Sequence, residues 1–289
     1  MQRARALADV LVPAPAAGRL RVAKAAWTKR RHPRRIVEHR YGGRTLKVLI
    51  GSAYGERYDA DWPQLPEIEE LRRSRLQPGA HVFNLGANHG VMAMMLADAV
   101  GPAGRVMALE ADARDAEVAA RNAALNGLEQ LTCLHAAVAR YSGTIGFSTS
   151  MRVDEGTGRW GRVRTPAWSI DDLAAAHGAP DVIFMDVEAF EAEALAGATQ
   201  TLAAGPDWFV EVHGDQMLSR YGATVTDVVG CFDPARYTLL GAHDGLIQSR
   251  PGELASTTTF EPLDPAQAPR DRFLLIALSR SAAPASNQV

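Results

Sequence analysis

From residue 81 onward, short apolar runs alternate with helix-length segments, and few architectures accept that alternation. "HVFNLGA", "GRVMALEA", "LTCLHAAVA", "DVIFMDVE" and "DWFVEVHG" read as strands, with "GVMAMMLADAV", "DARDAEVAARNAALNG", "SIDDLAAAHG" and "AFEAEALAGATQTLAAG" as the intervening helices. Asp112 and Ser169 sit where N-caps belong. Strands separated by helices of this length pack as an α/β fold with a doubly wound, mostly parallel sheet. "YTLLGAH" and "RFLLIALSR" have no clear helix between them, which predicts an antiparallel pair at the C-terminal edge. "GTIGFSTS" and "GRVRTPAWS" read as a small hairpin excursion. The 289 residues, 47% of them hydrophobic, suffice for one large core.

Upstream the pattern is looser. "RTLKVLIGS" (44–52) reads as a strand and "LPEIEELRRSRLQPG" (65–79) as a helix ended by its Pro-Gly pair. Residues 1–40 carry eleven Lys/Arg and two acids, while the whole chain has a net charge of -2. The expected division is a basic N-terminal arm over 1–43, a catalytic domain over 44–280 and a disordered tail over 281–289. The arm, densest at "TKRRHPRR", reads as a solvated terminus, with an anionic substrate or membrane surface as the other use for such charge. Nothing in the overall charge balance marks a nucleic-acid binder. Cys133 and Cys231 form no disulfide framework, and core packing is their expected role. No apolar run is long enough to span a membrane, and "ALADVLVPAPAAG" is broken by Asp9, Pro13 and Pro15, so a cytoplasmic location is expected.

The loop "GANHG" closes the first strand of the regular series, at the end where parallel sheets hold ligands. Gly86 permits a tight turn and the close approach of a ligand, Gly90 lets the next helix pack closely, and the helix start offers free N–H groups. A phosphate loop would need Lys and Ser/Thr after its glycines, where "VMAMM" stands here. A dinucleotide loop needs a middle glycine, and Asn88 occupies that position. The short methionine end of S-adenosylmethionine suits the loop better. Glu110, about 20 residues on at the end of the next strand, stands where such folds hold ribose hydroxyls.

Two further pairs lie at strand ends. Asp186 and Glu188 are two residues apart, as are Glu211 and His213, so on neighbouring extended strands the four converge. Such a group can deprotonate a hydroxyl, orient it, or hold a divalent cation. Glu188 and Glu191 read equally well as caps of the following helix.

Taken in order, "VFNLGANHG", "ALEAD", "NAALNG", "SIDDL", "DVIFMDVEAFEAEALAGA" and "FVEVH" resemble the FkbM family of S-adenosylmethionine-dependent methyltransferases, over roughly residues 55 to 215. The resemblance implies a class I, Rossmann-like methyltransferase fold, S-adenosylmethionine as cofactor, and O-methylation of a small-molecule or glycan hydroxyl, on a sugar or secondary metabolite. It implies that Asn84, Gly86, Ala87, Asn88, Gly90 and Glu110 bind the cofactor, and that Asp186 and Glu188 match a D-x-E motif. Asp186 is the first choice for base or hydroxyl orienter, His213 the second, with Glu188 beside them; no residue is assigned to a metal. The family usually has Asp where Asn84 stands, Ile or Val at His89, and Gly at Ala189. Tyr58 and Trp62 are candidate walls of the acceptor side. The competing class is a protein that keeps the fold and binds without turnover.

Overall fold

The computed structural model describes residues 32–148, 152–153, 162–243 and 258–281. Strands β1 (Arg35–Tyr41) and β2 (Arg44–Ile50) form an antiparallel hairpin turned at Gly42 and Gly43, both at positive φ. The five expected strands follow as β3 (His81–Leu85), β4 (Arg105–Glu110), β5 (Leu131–His135) and, after the excursion strands β6 (Ala137–Val138), β7 (Gly143–Ser148), β8 (Arg152–Val153) and β9 (Arg162–Trp168), β10 (Val182–Met185) and β11 (Asp207–Val212). The chain closes with β12 (Tyr237–His243), β13 (Glu261–Pro262) and β14 (Phe273–Ser279).

The main sheet runs β13-β12-β14-β11-β10-β3-β4-β5. Its centre, β11 to β5, is parallel, while β14 and β12 are antiparallel beside it, as the sequence pattern predicts. The chain lays β3, β4 and β5 outward, then returns to place β10 on the other side of β3. That reversal puts the switch point between β3 and β10, where a doubly wound sheet opens its ligand crevice. The expected hairpin exists as β7 against β9.

Both faces of the sheet are buried, because apolar side chains run continuously along its central strands. One core joins Val82, Phe184 and Ile276 to helix Val91–Val100 and the N-terminal hairpin. The other joins Phe83, Met185 and Trp208 to the helices at Ile170–His177 and Val225–Val229. Asp112 caps helix Ala113–Leu125 by accepting from Arg114 and Asp115 backbone N–H, and Ser169 caps its helix through Asp172 N–H, as expected. Among the described residues, no helix is long and apolar enough to cross a membrane.

Several expectations need correction. Strand β1 begins inside the segment read as a basic arm, so a boundary at residue 43 divides a hairpin. That hairpin is joined to the main fold by side chains: Asn122 Oδ1 accepts from Leu49 N–H at 2.6 Å, and Asn126 Oδ1 from Lys47 N–H at 2.9 Å. Two of the arm's described arginines are also paired with acids of the main fold. Arg35 forks onto Glu56 at 2.6 Å, and Arg34 pairs with Glu117 at 3.4 Å. Residues 1–31 and 282–289 lie outside the described residues, with most of the arm and all but Ser281 of the tail read from sequence. The helix expected over 65–79 ends at Arg72. The helix read through "AFEAEALAGATQTLAAG" is two, Glu191–Ala196 and Thr199–Ala204, broken at Gly197. A side chain at Gly197 would meet Ala139 O at 2.5 Å, so the excursion packs directly on that break.

Candidate active site

Gly86 follows β3 directly, with φ +89, and a Cβ there would lie 1.8 Å from Asp186 O on the strand across the switch point. From sequence this glycine is expected to admit a ligand; in the fold its missing Cβ also makes room for the neighbouring backbone. Gly86 and Ala87 N–H both donate to Leu109 O at 2.9 Å, which ties the loop to β4. Asn88 takes the left-handed region, φ 49, which Asn tolerates better than most residues. Gly90, φ +79, lies with its missing Cβ 3.0 Å from Ala119, so its tight packing is onto helix Ala113–Leu125. No side chain caps the start of helix Val91–Val100.

Glu110 ends β4 beside this loop. Its Oε2 accepts Asn88 N–H at 2.8 Å and its Oε1 accepts Asp112 N–H at 2.7 Å. It is therefore no helix cap, since Asp112 fills that role. Two anchored oxygens fix the carboxylate while leaving lone pairs for two further donors. Burial pushes its pKa up to about 7, against the lowering effect of the Asp112 and Asn88 N–H groups. Asn84 is almost fully buried on β3; its Nδ2 donates to Phe184 O at 3.4 Å, and its Oδ1 makes no hydrogen bond.

His89 is fully buried, and what surrounds it comes from upstream. Its Nδ1 lies 2.6 Å from Asn88 Oδ1, and its Nε2 lies 3.3 Å from Ser52 Oγ. A side chain at Gly55 would sit 2.7 Å from that Nε2. Residues 52–58 thus cover the loop. Tyr58 is buried between Trp62, at 5.3 Å between ring centroids, and His89, at 5.8 Å. Tyr58 thus packs on the loop, with Trp62 behind it. Tyr54 feels both acids: burial raises its phenol pKa, Arg57 opposes the shift, and the Asp186 and Glu188 charges add to it.

The four residues at the ends of β10 and β11 do converge, though not by strand alternation. Strand β10 stops at Met185, and Glu188 and Ala189 both take positive φ, 53 and 73. This turn swings Glu188 back to His213, which starts its own helix just past β11. His213 Nε2 faces Glu188 Oε2 at 3.4 Å, Asp186 Oδ1 at 3.8 Å and Glu211 Oε1 at 3.8 Å. Glu191, read as a cap, is fully buried and accepts twice: from His213 Nδ1 at 2.8 Å and from Ala189 N–H at 3.0 Å. Arg272, from the antiparallel edge, pairs with Glu211. Sequence spacing had no signal for Arg272, which enters 61 positions after Glu211 through the pairing of β11 with β14.

Electrostatics separate these roles. Burial lowers the pKa of His213, but the Glu188 and Glu191 carboxylates beside it, with Asp186 behind, outweigh that and raise it to about 11. These neighbours thus favour the protonated imidazole over the neutral form a general base needs. Burial raises the Asp186 carboxyl above its ordinary range, with Glu188 adding to the shift and His213 opposing it. Glu188 ends below its ordinary range: burial raises it, but His213 prevails.

The family model described as the methyltransferase FkbM domain matches residues 84–221. No curated protein matches the chain. Among solved structures, it is similar to a SAM-dependent O-methyltransferase from Thermotoga maritima: 13% identity, 86% of this chain and 78% of that one, TM-score 0.42. It is similar to Aeropyrum pernix fibrillarin in complex with natively bound S-adenosyl-L-methionine: 12% identity, 87% and 86%, TM-score 0.41. It is also similar to precorrin-6y C5,15-methyltransferase from Geobacter metallireducens: 12% identity, 75% and 89%, TM-score 0.41.

Proposed function

We propose that this chain, whose residues 84–221 match the family model described as the methyltransferase FkbM domain, is an enzyme that binds S-adenosylmethionine and methylates a hydroxyl oxygen of a sugar or secondary metabolite. The observation that carries the reading is Glu110, fixed by two backbone N–H groups beside the loop and still able to accept from two hydroxyls. Asn84 Oδ1, buried without a donor, and the uncapped start of helix Val91–Val100 supply further unmet hydrogen-bonding capacity around the same loop. A dinucleotide suits it less well, since Asn88 stands where the fingerprint needs glycine.

When bound, S-adenosylmethionine supplies a methyl group already activated on a sulfonium. The chain then has two tasks, to align an acceptor hydroxyl and to remove its proton. Asp186, at the switch point with a raised pKa, takes the proton at a carboxylate oxygen. His213, held by Glu191 through Nδ1, orients Asp186 and Glu188 rather than acting as base. Titrating the full chain with S-adenosylmethionine and with NAD by calorimetry tests the cofactor. Transfer of labelled methyl groups to a panel of sugars and hydroxylated metabolites tests the reaction. Binding of NAD alone, or binding of S-adenosylmethionine with no transfer to any hydroxyl, would overturn the reading.

A further inference from the structure

His213 brings the one imidazole to its cluster of carboxylates, and its surroundings fix which atom it presents. Glu191 holds Nδ1 at 2.8 Å, so Nε2 points the other way, toward Glu188 at 3.4 Å and toward Asp186 and Glu211 at 3.8 Å. The His213 side chain is 1% exposed, and Nε2 makes no hydrogen bond of its own. Asp186 Oδ1 is also buried without a hydrogen bond. Glu211 Oε1 is approached by Arg272, which uses one of its two lone pairs. A carboxylate gripping the far nitrogen of an imidazole is the usual device for orienting a metal-ligating histidine.

The spacing fits a coordination sphere. Nε2 stands 3.8 Å from each of the two carboxylate oxygens, and the donor atoms of the three residues lie within 4.8 Å of one another. A triangle with two such sides has its centre about 2.1–2.5 Å from each corner, which overlaps the bond lengths of divalent cations to O and N donors. The charges fit as well. Asp186, Glu188, Glu191 and Glu211 crowd around one histidine, and Arg272, paired with the same Glu211 oxygen, is a further cation that acts on them. A second cation, or a doubly charged one replacing the proton on Nε2, relieves that excess.

We propose that Asp186, Glu211 and His213 bind one divalent first-row cation of the Mn²⁺ or Zn²⁺ class, through two carboxylate oxygens and Nε2. The mixed oxygen and imidazole donors favour such ions over Mg²⁺ or Ca²⁺, which prefer all-oxygen sites. Three protein ligands leave positions open. Under the methyl-transfer reading, on which this consequence rests, the acceptor oxygen takes one of them and its hydroxyl proton becomes more acidic.

The test is to strip the full chain with a chelator and titrate it with MnCl₂, following free Mn²⁺ by electron paramagnetic resonance. One saturable site is expected, weakened at least tenfold in Glu211→Gln and in His213→Gln. Thermal melts show which variants remain folded, and Glu211→Gln keeps the test open if the histidine variant does not fold. With Zn²⁺ in place of Mn²⁺, ¹⁵N histidine spectra should show Nε2 losing its proton on binding. A folded wild-type chain that binds no Mn²⁺, binding unchanged in a folded variant, or an Nε2 that stays protonated with Zn²⁺ present would overturn the proposal. None of these readouts uses S-adenosylmethionine or turnover. A chain that binds Mn²⁺ but not S-adenosylmethionine therefore contradicts only the methyl-transfer reading, and the reverse result contradicts only the metal site.

Discussion

Gly86→Ala tests whether the crossing of the loop and β10 is as close as it stands. Two costs add. At φ +89 a Cβ is strained by roughly 1–2 kcal/mol whatever surrounds it. The new methyl group also meets Asp186 O at 1.8 Å, well inside any carbon–oxygen contact, and the atom it meets is backbone that cannot rotate aside. Overpacking of this kind costs about 1–3 kcal/mol, and the sum is about 2–5 kcal/mol. Gly79 provides the control: it has the same φ of +89 and nothing within 4 Å of its Cβ position. Gly79→Ala should therefore cost only the conformational part. The measurement is urea unfolding of the chain and both variants, followed by circular dichroism, comparing midpoints at constant slope. Gly86→Ala should unfold at clearly lower urea than Gly79→Ala. It should also lose affinity for S-adenosylmethionine, because relief of the clash moves Asp186 and the loop apart. Equal losses of stability, within about 0.5 kcal/mol, would show that the two strands do not approach as described.

Glu110→Gln should weaken S-adenosylmethionine binding about ten- to hundredfold, read by calorimetry, since a charged acceptor for hydroxyl groups is worth roughly 1.5–3 kcal/mol. Because burial lifts Glu110 to about 7 and ribose hydroxyls favour the ionised form, wild-type affinity should rise with pH through that value; a flat profile would remove Glu110 from the site. Asn84→Asp loses the donor to Phe184 O and buries a charge, so the cofactor-free chain should lose roughly 1–3 kcal/mol, with a larger thermal shift on adding S-adenosylmethionine than wild type shows; an unchanged melting temperature would refute this. Glu67 is buried and raised to about 7 from 4.5, so the folded chain binds its proton more tightly than the unfolded chain does. Its ionisation therefore costs stability progressively between those pH values and fully above them, by up to roughly 3 kcal/mol. Glu67→Gln should accordingly raise the melting temperature at pH 8 and leave it nearly unchanged at pH 4.5.

Much of the fold and half of the site are legible in the order of the amino acids alone. The alternation of apolar runs and helices dictates a parallel sheet, since each apolar strand can be covered only by the helices beside it in sequence. Gly86, Asn88, Gly90 and Glu110 lie within one strand–helix–strand unit, and local geometry alone brings them together. Asp112 and Ser169 are readable as caps for the same reason: a cap acts on N–H groups two or three residues away. Periodicity also implies that Asp186, Glu188, Glu211 and His213 meet, but for a reason that does not apply. The strand ends too early, and a left-handed turn at Glu188 and Ala189 makes the contact.

What sequence could not supply depends on segments far apart in the chain. Glu191 looks like any acid in a first helical turn, and only the packing of its helix against the end of β11 turns it into the partner of His213. Arg272 reaches Glu211 only because β14 pairs antiparallel with β11. Ser52 and Gly55 meet His89 only because the N-terminal hairpin folds over the loop. The protonation of His213 belongs to the same class. A residue type sets the ordinary pKa, but the balance between desolvation and the neighbouring carboxylates exists only once tertiary packing has excluded water and fixed their distances.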